Sequence, residues 1–127
     1  LAGSDGCDSV EVDVTTVDDF VRERNISVDL IKMDVEGSEP DVLEGMVDTL
    51  NRNPGIKIIT ELAPAHLERN NCSPSAFLDR LSAHGFKLYL LGDKKHEREL
   101  ITVDNADNII ELCRGRVYNI YCCRESR

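Results

Sequence analysis

The chain has no apolar run near the eighteen or so residues that a membrane span requires. It also lacks a surplus of positive charge, with 15 Lys and Arg against 24 Asp and Glu and a formal net charge of −9. That field repels nucleic acid and anionic membrane, which excludes both as favoured partners. No two of its five cysteines stand in C-x-x-C spacing, and only His66, His84 and His96 are available to complete a zinc site. An odd count at irregular spacing argues against a disulfide framework. Free, mostly buried thiols fit a reducing compartment, so the expected location is cytoplasmic. The opening stretch "LAGSDGCDSV" has neither a basic n-region nor an apolar h-region, so it does not read as a signal peptide. It starts without Met in a loop-like stretch, and the expectation is that it begins mid-protein.

At 127 residues, 41% hydrophobic and 31% charged, the chain has an ordinary globular balance and one domain's worth of core. Its first periodic signal is "SVEVDVTTV", where Val10, Val12 and Val14 alternate with polar neighbours as in a half-buried strand. Thr16 and Asp19 have capping-box spacing, which predicts a short helix over "DDFVRERN". "VDLIKMD" has strand length, with the Lys32 stem able to lie along an edge. Ser38 is the expected cap of the next helix, with Pro40 tolerated in its first turn and Val42, Leu43, Met46, Val47 and Leu50 on one face. "NRNPG" ends that helix, and "IKIITEL" is a second strand rich in β-branched residues.

"SPSAFLDRLSAHGF" repeats the helix grammar, with Ser73 as cap, Pro74 at the first position and Gly85 as terminator. "FKLYLLG" follows as a strand, "DKKHERE" as a solvated charged loop, "ELITV" as a short strand, "NADNIIELC" as a short helix and "RVYNIYCC" as a final strand. Strands alternating with helices predict an α/β fold with a mostly parallel sheet and an antiparallel pair at its edge. In such sheets ligands bind beyond the carboxyl ends of the strands. Asp34 and Glu61 both fall at that end.

Several chemistries can be set aside. "DVEG" satisfies D-x-x-G, but the phosphate-cradling G-x-x-x-x-G-K-[ST] loop and an N-K-x-D base reader are absent. No G-x-S-x-G elbow supports a nucleophilic triad. Asp34, Glu36 and Glu61 could give oxygen ligands to Mg²⁺, although acids at neighbouring strand tips are the whole of that signal. Each acid also has a plain structural reading, because a carboxylate near a helix start stabilises it by roughly 0.3–1 kcal/mol. Gly37 suits a sharp turn or the close approach of a ligand. Asp18, Lys32 and His66 are weaker candidates, each with a surface or capping role to compete.

"VEVDVTTVDDF", "VDLIKMDVEGSEPDVLEGM", "IKIITEL" and "HGFKLYLL" together resemble FkbM-like, S-adenosylmethionine-dependent methyltransferases. The resemblance runs from Val10 to Tyr121, and its most specific part is Val28 to Met46. It implies a Rossmann-like methyltransferase fold of strand order 3-2-1-4-5-7-6, with "VDLIKMD" as the fourth strand and "IKIITEL" as the fifth. The family's first strand, its glycine-rich turn and the acidic tip of its second strand have no counterpart here, and no G-x-G occurs among the eight glycines. The resemblance therefore implies that residues 1–127 are the C-terminal, substrate-side part of a single methyltransferase domain, inactive alone. Asp34, Glu36 and Glu61 become candidate catalytic residues, and Asp34 and Gly37 candidate contacts to S-adenosylmethionine.

The implied reaction is O-methylation of a hydroxyl on a small-molecule, glycan or lipid acceptor. The alternative is a non-catalytic binding or regulatory α/β module that lost the cofactor half. The open edge of "VDLIKMD" is expected to pair with another chain as a homodimer.

Overall fold

The computed structural model describes residues 8–92 and 98–125. The Thr16 side of the expected capping box forms. Helix α1 (Val17–Arg24) starts at Thr16, whose hydroxyl accepts the Asp19 amide, and Asp19 also pairs with Arg22. Strand β1 (Leu30–Met33) follows, and then two short helices, α2 (Glu39–Glu44) and α3 (Val47–Arg52). A single helix was expected here. It breaks at Gly45 and Met46, and the free N-terminus of α3 is capped from outside: the Asp18 carboxylate accepts from the amides of Asp48 (3.2 Å) and Thr49 (2.8 Å) and from the Thr49 hydroxyl (2.7 Å). Asp18 is thereby committed to holding α1 against α3, and α1 itself buries no residue.

Strand β2 (Lys57–Leu62) leads into α4 (Pro64–Arg69), a helix absent from the sequence reading, and α5 (Pro74–Ala83). The Ser73 hydroxyl caps α5 by accepting the Ala76 amide, and Gly85, at φ 86°, ends it. Strand β3 (Lys87–Leu91), the two-residue β4 (Glu99–Leu100), α6 (Ala106–Gly115) and β5 (Tyr118–Cys123) complete the order. Most of the charged run expected as a loop, residues 93–97, lies outside the described residues.

The sheet order is β1-β2-β5-β3-β4. Its first four places match the 4-5-7-6 portion of the implied order. The expectation of a mostly parallel sheet is corrected: only β1 and β2 pair in parallel, while β2–β5, β5–β3 and β3–β4 are antiparallel. β5 enters between β2 and β3, as the seventh strand does in the implied order, and so reverses two pairings at once. Its inward residues Tyr118, Ile120 and Cys122 are buried, which suits an interior strand. β1, β2 and β3 do run in one direction, so their carboxyl ends share one side of the sheet.

One face of the sheet carries every buried strand residue: Met33, Ile58, Thr60, Leu62, Leu88, Leu90, Tyr118, Ile120 and Cys122. Leu43, Met46, Leu50, Leu67, Phe77, Leu81, Ile109 and Ile110 from the helices pack on it as one core. Each such side chain contributes roughly 1.5–3 kcal/mol by leaving water. The opposite face, with Lys32, Lys57, Ile59, Tyr89, Leu91, Tyr121 and Cys123, has no buried residue. Tyr89 and Tyr121 lie across from one another there, ring centroids 6.3 Å apart. Adjacent Cys122 and Cys123 thus face opposite sides, one in the core and one partly exposed, and Cys72, Cys113, Cys122 and Cys123 are all free thiols.

The strand expected at "VEVDVTTV" does not form. Residues 8–16 lie outside any helix or strand, and Val10, Val12 and Val14 are exposed. Alternation states which side of a strand would be apolar, but a strand also needs a partner, and none of the described strands takes this segment.

Candidate active site

β1 stops at Met33 because the next residues turn sharply. Glu36 and Gly37 both take positive φ (51° and 105°), and the Ser38 amide closes the turn on the Val35 carbonyl at 3.2 Å. The expected Ser38 side-chain cap is absent. Glu39 instead braces the turn ahead of the helix: its carboxylate accepts the Val35 amide at 3.2 Å and the Gly37 amide at 2.9 Å, and the residue is only 3% exposed. Sequence reasoning missed it, since an acid at the first position of a helix reads as ordinary dipole compensation. The signal was an acid flanked by Pro40 and an apolar face, where burial leaves it only backbone donors to satisfy.

The turn is also clamped from the side. A Cβ on Gly37 would lie 2.4 Å from the His66 carbonyl oxygen, and Asn70 donates its amide to the Gly37 carbonyl at 3.0 Å. The absent side chain therefore makes room for α4 instead of leaving a gap. α4 carries His66 to the rim, where its buried Nδ1 has no hydrogen-bond partner.

The parallel register ends with Met33 opposite Thr60, so one residue further on Asp34 stands beside Glu61. Burial pushes the Glu61 carboxyl above its ordinary 4.5. A hydrogen bond and charge from Asp34 push it further, Glu39 adds to this, and His66 opposes it. Two carboxyls can hydrogen-bond to each other only if one keeps a proton. Asn119, the antiparallel partner of Glu61 on β5, joins the same rim, a neighbour that only the long-range pairing reveals.

Glu61 and His66 line a cavity of about 350 Å³ closed by Cys113, Arg114, Arg116 and Val117. Arg114 is held in that wall by Glu68 (2.6 Å) and Glu111 (3.0 Å). Of the expected site residues, then, the fold brings Asp34 and Glu61 together. Glu36 stands at the exposed apex of the turn, without a hydrogen bond or ion pair to the described residues. Lys32 is exposed on the edge strand. No group of three or more His, Cys, Asp or Glu among the described residues could hold a metal ion, so the Mg²⁺ expectation has no ligand set behind it.

The model of the methyltransferase FkbM domain matches residues 2–88. The chain belongs to this methyltransferase family. The match spans the Asp34 turn, Glu61, His66 and the helices that position them, so the rim is part of the FkbM domain itself. No curated protein and no solved structure matches the chain. No helix among the described residues is long and apolar enough to cross a membrane.

Among the described residues, the rim of this FkbM chain suits the charged end of the family's expected cofactor. S-adenosylmethionine carries a sulfonium cation, and the Asp34 and Glu61 carboxyls stand side by side at the rim, Glu61 lining the cavity.

Proposed function

We propose that this chain forms the acceptor-facing side of an S-adenosylmethionine-dependent O-methyltransferase domain. The observation that carries this reading is the Asp34–Glu61 carboxyl pair, set side by side where two parallel strands end, with Glu61 lining a cavity. When bound, the cofactor supplies an electrophilic methyl group on sulfur, and the protein has to bring a hydroxyl into line with it, exclude water and take the hydroxyl's proton.

Asp34, exposed at the rim, is the residue proposed to receive that proton and to face the sulfonium. Glu61, whose affinity for a proton is raised by burial and by Asp34, stands beside Asp34 and fixes its orientation. Glu36 extends the acidic rim on the acceptor side. A glutamate in the left-handed region costs roughly 1–2 kcal/mol that glycine would avoid, which supports a use for its side chain. Gly37 serves the cofactor side indirectly, by letting α4 close on the turn. The acceptor is a small molecule, glycan or lipid hydroxyl, and the proposed setting is cytoplasmic. The glycine-rich turn and ribose-binding acid belong, in this reading, to a part of the domain outside these 127 residues.

The competing reading is a non-catalytic binding or regulatory module. The test is Asp34→Asn and Glu61→Gln in a complete domain that contains this chain, assayed for methyl transfer to a panel of hydroxyl acceptors. Losing a positioned base is expected to lower kcat by about 10²-fold or more with the melting temperature held. Unchanged turnover at unchanged stability removes both residues from the chemistry. A complete domain with no methyl transfer and no S-adenosylmethionine binding by calorimetry establishes the module.

A further inference from the structure

The carboxyl pair is not the whole of the rim. His66 lines the same cavity as Glu61 and lies close enough for its charge to act on the Glu61 carboxyl. Its place is set by the turn that carries Asp34. Asn70 fastens the two, its backbone amide donating to the His66 carbonyl at 3.2 Å and its side-chain amide to the Gly37 carbonyl at 3.0 Å. Yet Nδ1 of His66 is buried with no hydrogen-bond partner among the described residues. Native sites rarely leave such an atom unpaired, and beside a cavity the partner comes from what the cavity holds. The walls are the end of β2, α4 and the turn from α6 into β5. The implied first strand belongs beyond β1, on the side away from these walls.

In the methyl-transfer reading, Asp34 takes the proton of the reacting hydroxyl, and that oxygen's lone pair attacks the methyl carbon. The oxygen then has no proton left for Nδ1, and a hydrogen bond from Nδ1–H would hold back the attacking pair. Nδ1 therefore needs a second group. In a neutral imidazole either ring nitrogen can carry the proton, and a hydroxyl suits both cases because it donates and accepts. An ether or carbonyl suits only one. At about 350 Å³ the cavity is near the lower bound of small-molecule sites, roughly 300–1,000 Å³, so it takes one ring rather than a chain of them. Pro64, Ala65 and Val117 give its wall aliphatic patches for the C–H side of such a ring.

We propose that His66 contacts the acceptor as a specificity-determining residue, its Nδ1 pairing with a second hydroxyl beside the one that is methylated. The acceptor is then a ring bearing a vicinal diol, as in a single sugar unit. This inference rests on the methyl-transfer reading and narrows its acceptor. The reacting hydroxyl gives its proton to Asp34 and its oxygen gains the methyl group, whose former bonding electrons stay on the cofactor's sulfur. The second hydroxyl keeps its proton and stays bound to His66.

The test uses a complete domain that contains this chain. Its probes are methyl glucoside, galactoside and mannoside, each beside its single-deoxy counterparts, and vicinal cyclohexanediol beside cyclohexanol. In the unaltered domain, removing the hydroxyl next to the methylated one is expected to lower kcat/KM by roughly 10–100-fold. His66→Ala should lower transfer to the diol by the same factor and leave the deoxy acceptor nearly unchanged. His66→Asn, whose side-chain amide reaches the position of Nδ1, should restore the discrimination. Without cofactor, the diol should shift the NMR signals of the His66 ring nitrogens and cyclohexanol should not. The comparison within the unaltered domain decides the matter even if a variant misfolds. Equal rates for diol and deoxy acceptors, a His66→Ala variant that lowers both alike, or no transfer to any of these diols overturns the proposal. A domain that binds no S-adenosylmethionine by calorimetry loses the methyl-transfer reading as well. One that binds it and fails these tests loses only the assignment of His66.

Discussion

Three glycines provide a graded test of how the candidate site is held. Gly37 has a positive φ of 105° and a Cβ position 2.4 Å from the His66 carbonyl oxygen. Gly85 has a positive φ of 86°, but a Cβ there would meet only Arg124 Nε, at 3.8 Å. A Cβ on Gly55 would meet nothing within 4 Å. Gly55→Ala should therefore be neutral or gain about 0.4–1 kcal/mol by restricting the unfolded chain. Gly85→Ala should lose roughly 1–3 kcal/mol to backbone strain alone. Gly37→Ala carries that strain and an overpacking cost of roughly 1–3 kcal/mol, because backbone cannot step aside as a flexible side chain would.

The sum for Gly37→Ala, roughly 2–6 kcal/mol, is a large share of the roughly 5–15 kcal/mol that holds a domain together. At about 4 °C per kcal/mol for a chain of this size, its melting temperature should fall by about 8–24 °C. Thermal denaturation followed by far-ultraviolet circular dichroism measures all three variants. If Gly37→Ala melts no lower than Gly85→Ala, α4 does not close on the turn as described. The packing account of the Asp34 loop then fails.

Two further outcomes follow from the same turn. Glu39→Ala strips the acceptor from the Val35 and Gly37 amides and should cost about 2–4 kcal/mol in urea denaturation, since a charged hydrogen-bond partner is worth roughly 1.5–3 kcal/mol and Glu39 serves two donors. A loss below about 0.5 kcal/mol, within surface-substitution range, would show these two bonds to be idle. Glu61 binds its proton more tightly in the folded chain than its ordinary value of 4.5 implies, so between that value and the folded one the native state holds the extra proton. Stability therefore declines as pH rises from about 4.5 through the folded value and levels off above it. Glu61→Gln should remove this decline, and its urea midpoint should gain on the unaltered chain across that window. A difference constant with pH refutes the raised affinity.

Local grammar was legible where chemistry is local. The Thr16–Asp19 box, the Ser73–Pro74 start and the Gly85 stop each satisfy backbone groups within four residues, so their signals survive in sequence alone. The β1–β2 crossover and the meeting of Asp34 with Glu61 were also readable, because parallel strands flanking a helix leave few alternatives. What could not be read was set at long range. Nothing within "RVYNIYCC" itself states that it enters between β2 and β3; the implied strand order placed it there, and the mostly parallel expectation overlooked that an inserted antiparallel strand reverses two pairings. Glu39, not Ser38, makes the side-chain bonds at the start of α2, because its buried carboxylate reaches back to two amides of the turn. The valine arm showed a strand pattern without a strand, since pattern specifies a face and pairing specifies a partner.

The Cys122–Cys123 pair gives the molecule its own reference clock. Burial and the neighbouring thiol push Cys122 up to about 12, so it stays protonated inside the core, while Cys123 looks out from the other side of the same strand. A thiol reagent added to the native protein should reach Cys123 at a rate set by exposure, and Cys122 only when β5 leaves the sheet. Two residues joined by one peptide bond thus report surface access and core opening separately. The ratio of their labelling rates, followed by tandem mass spectrometry under increasing urea, would show whether the sheet opens strand by strand or as one unit.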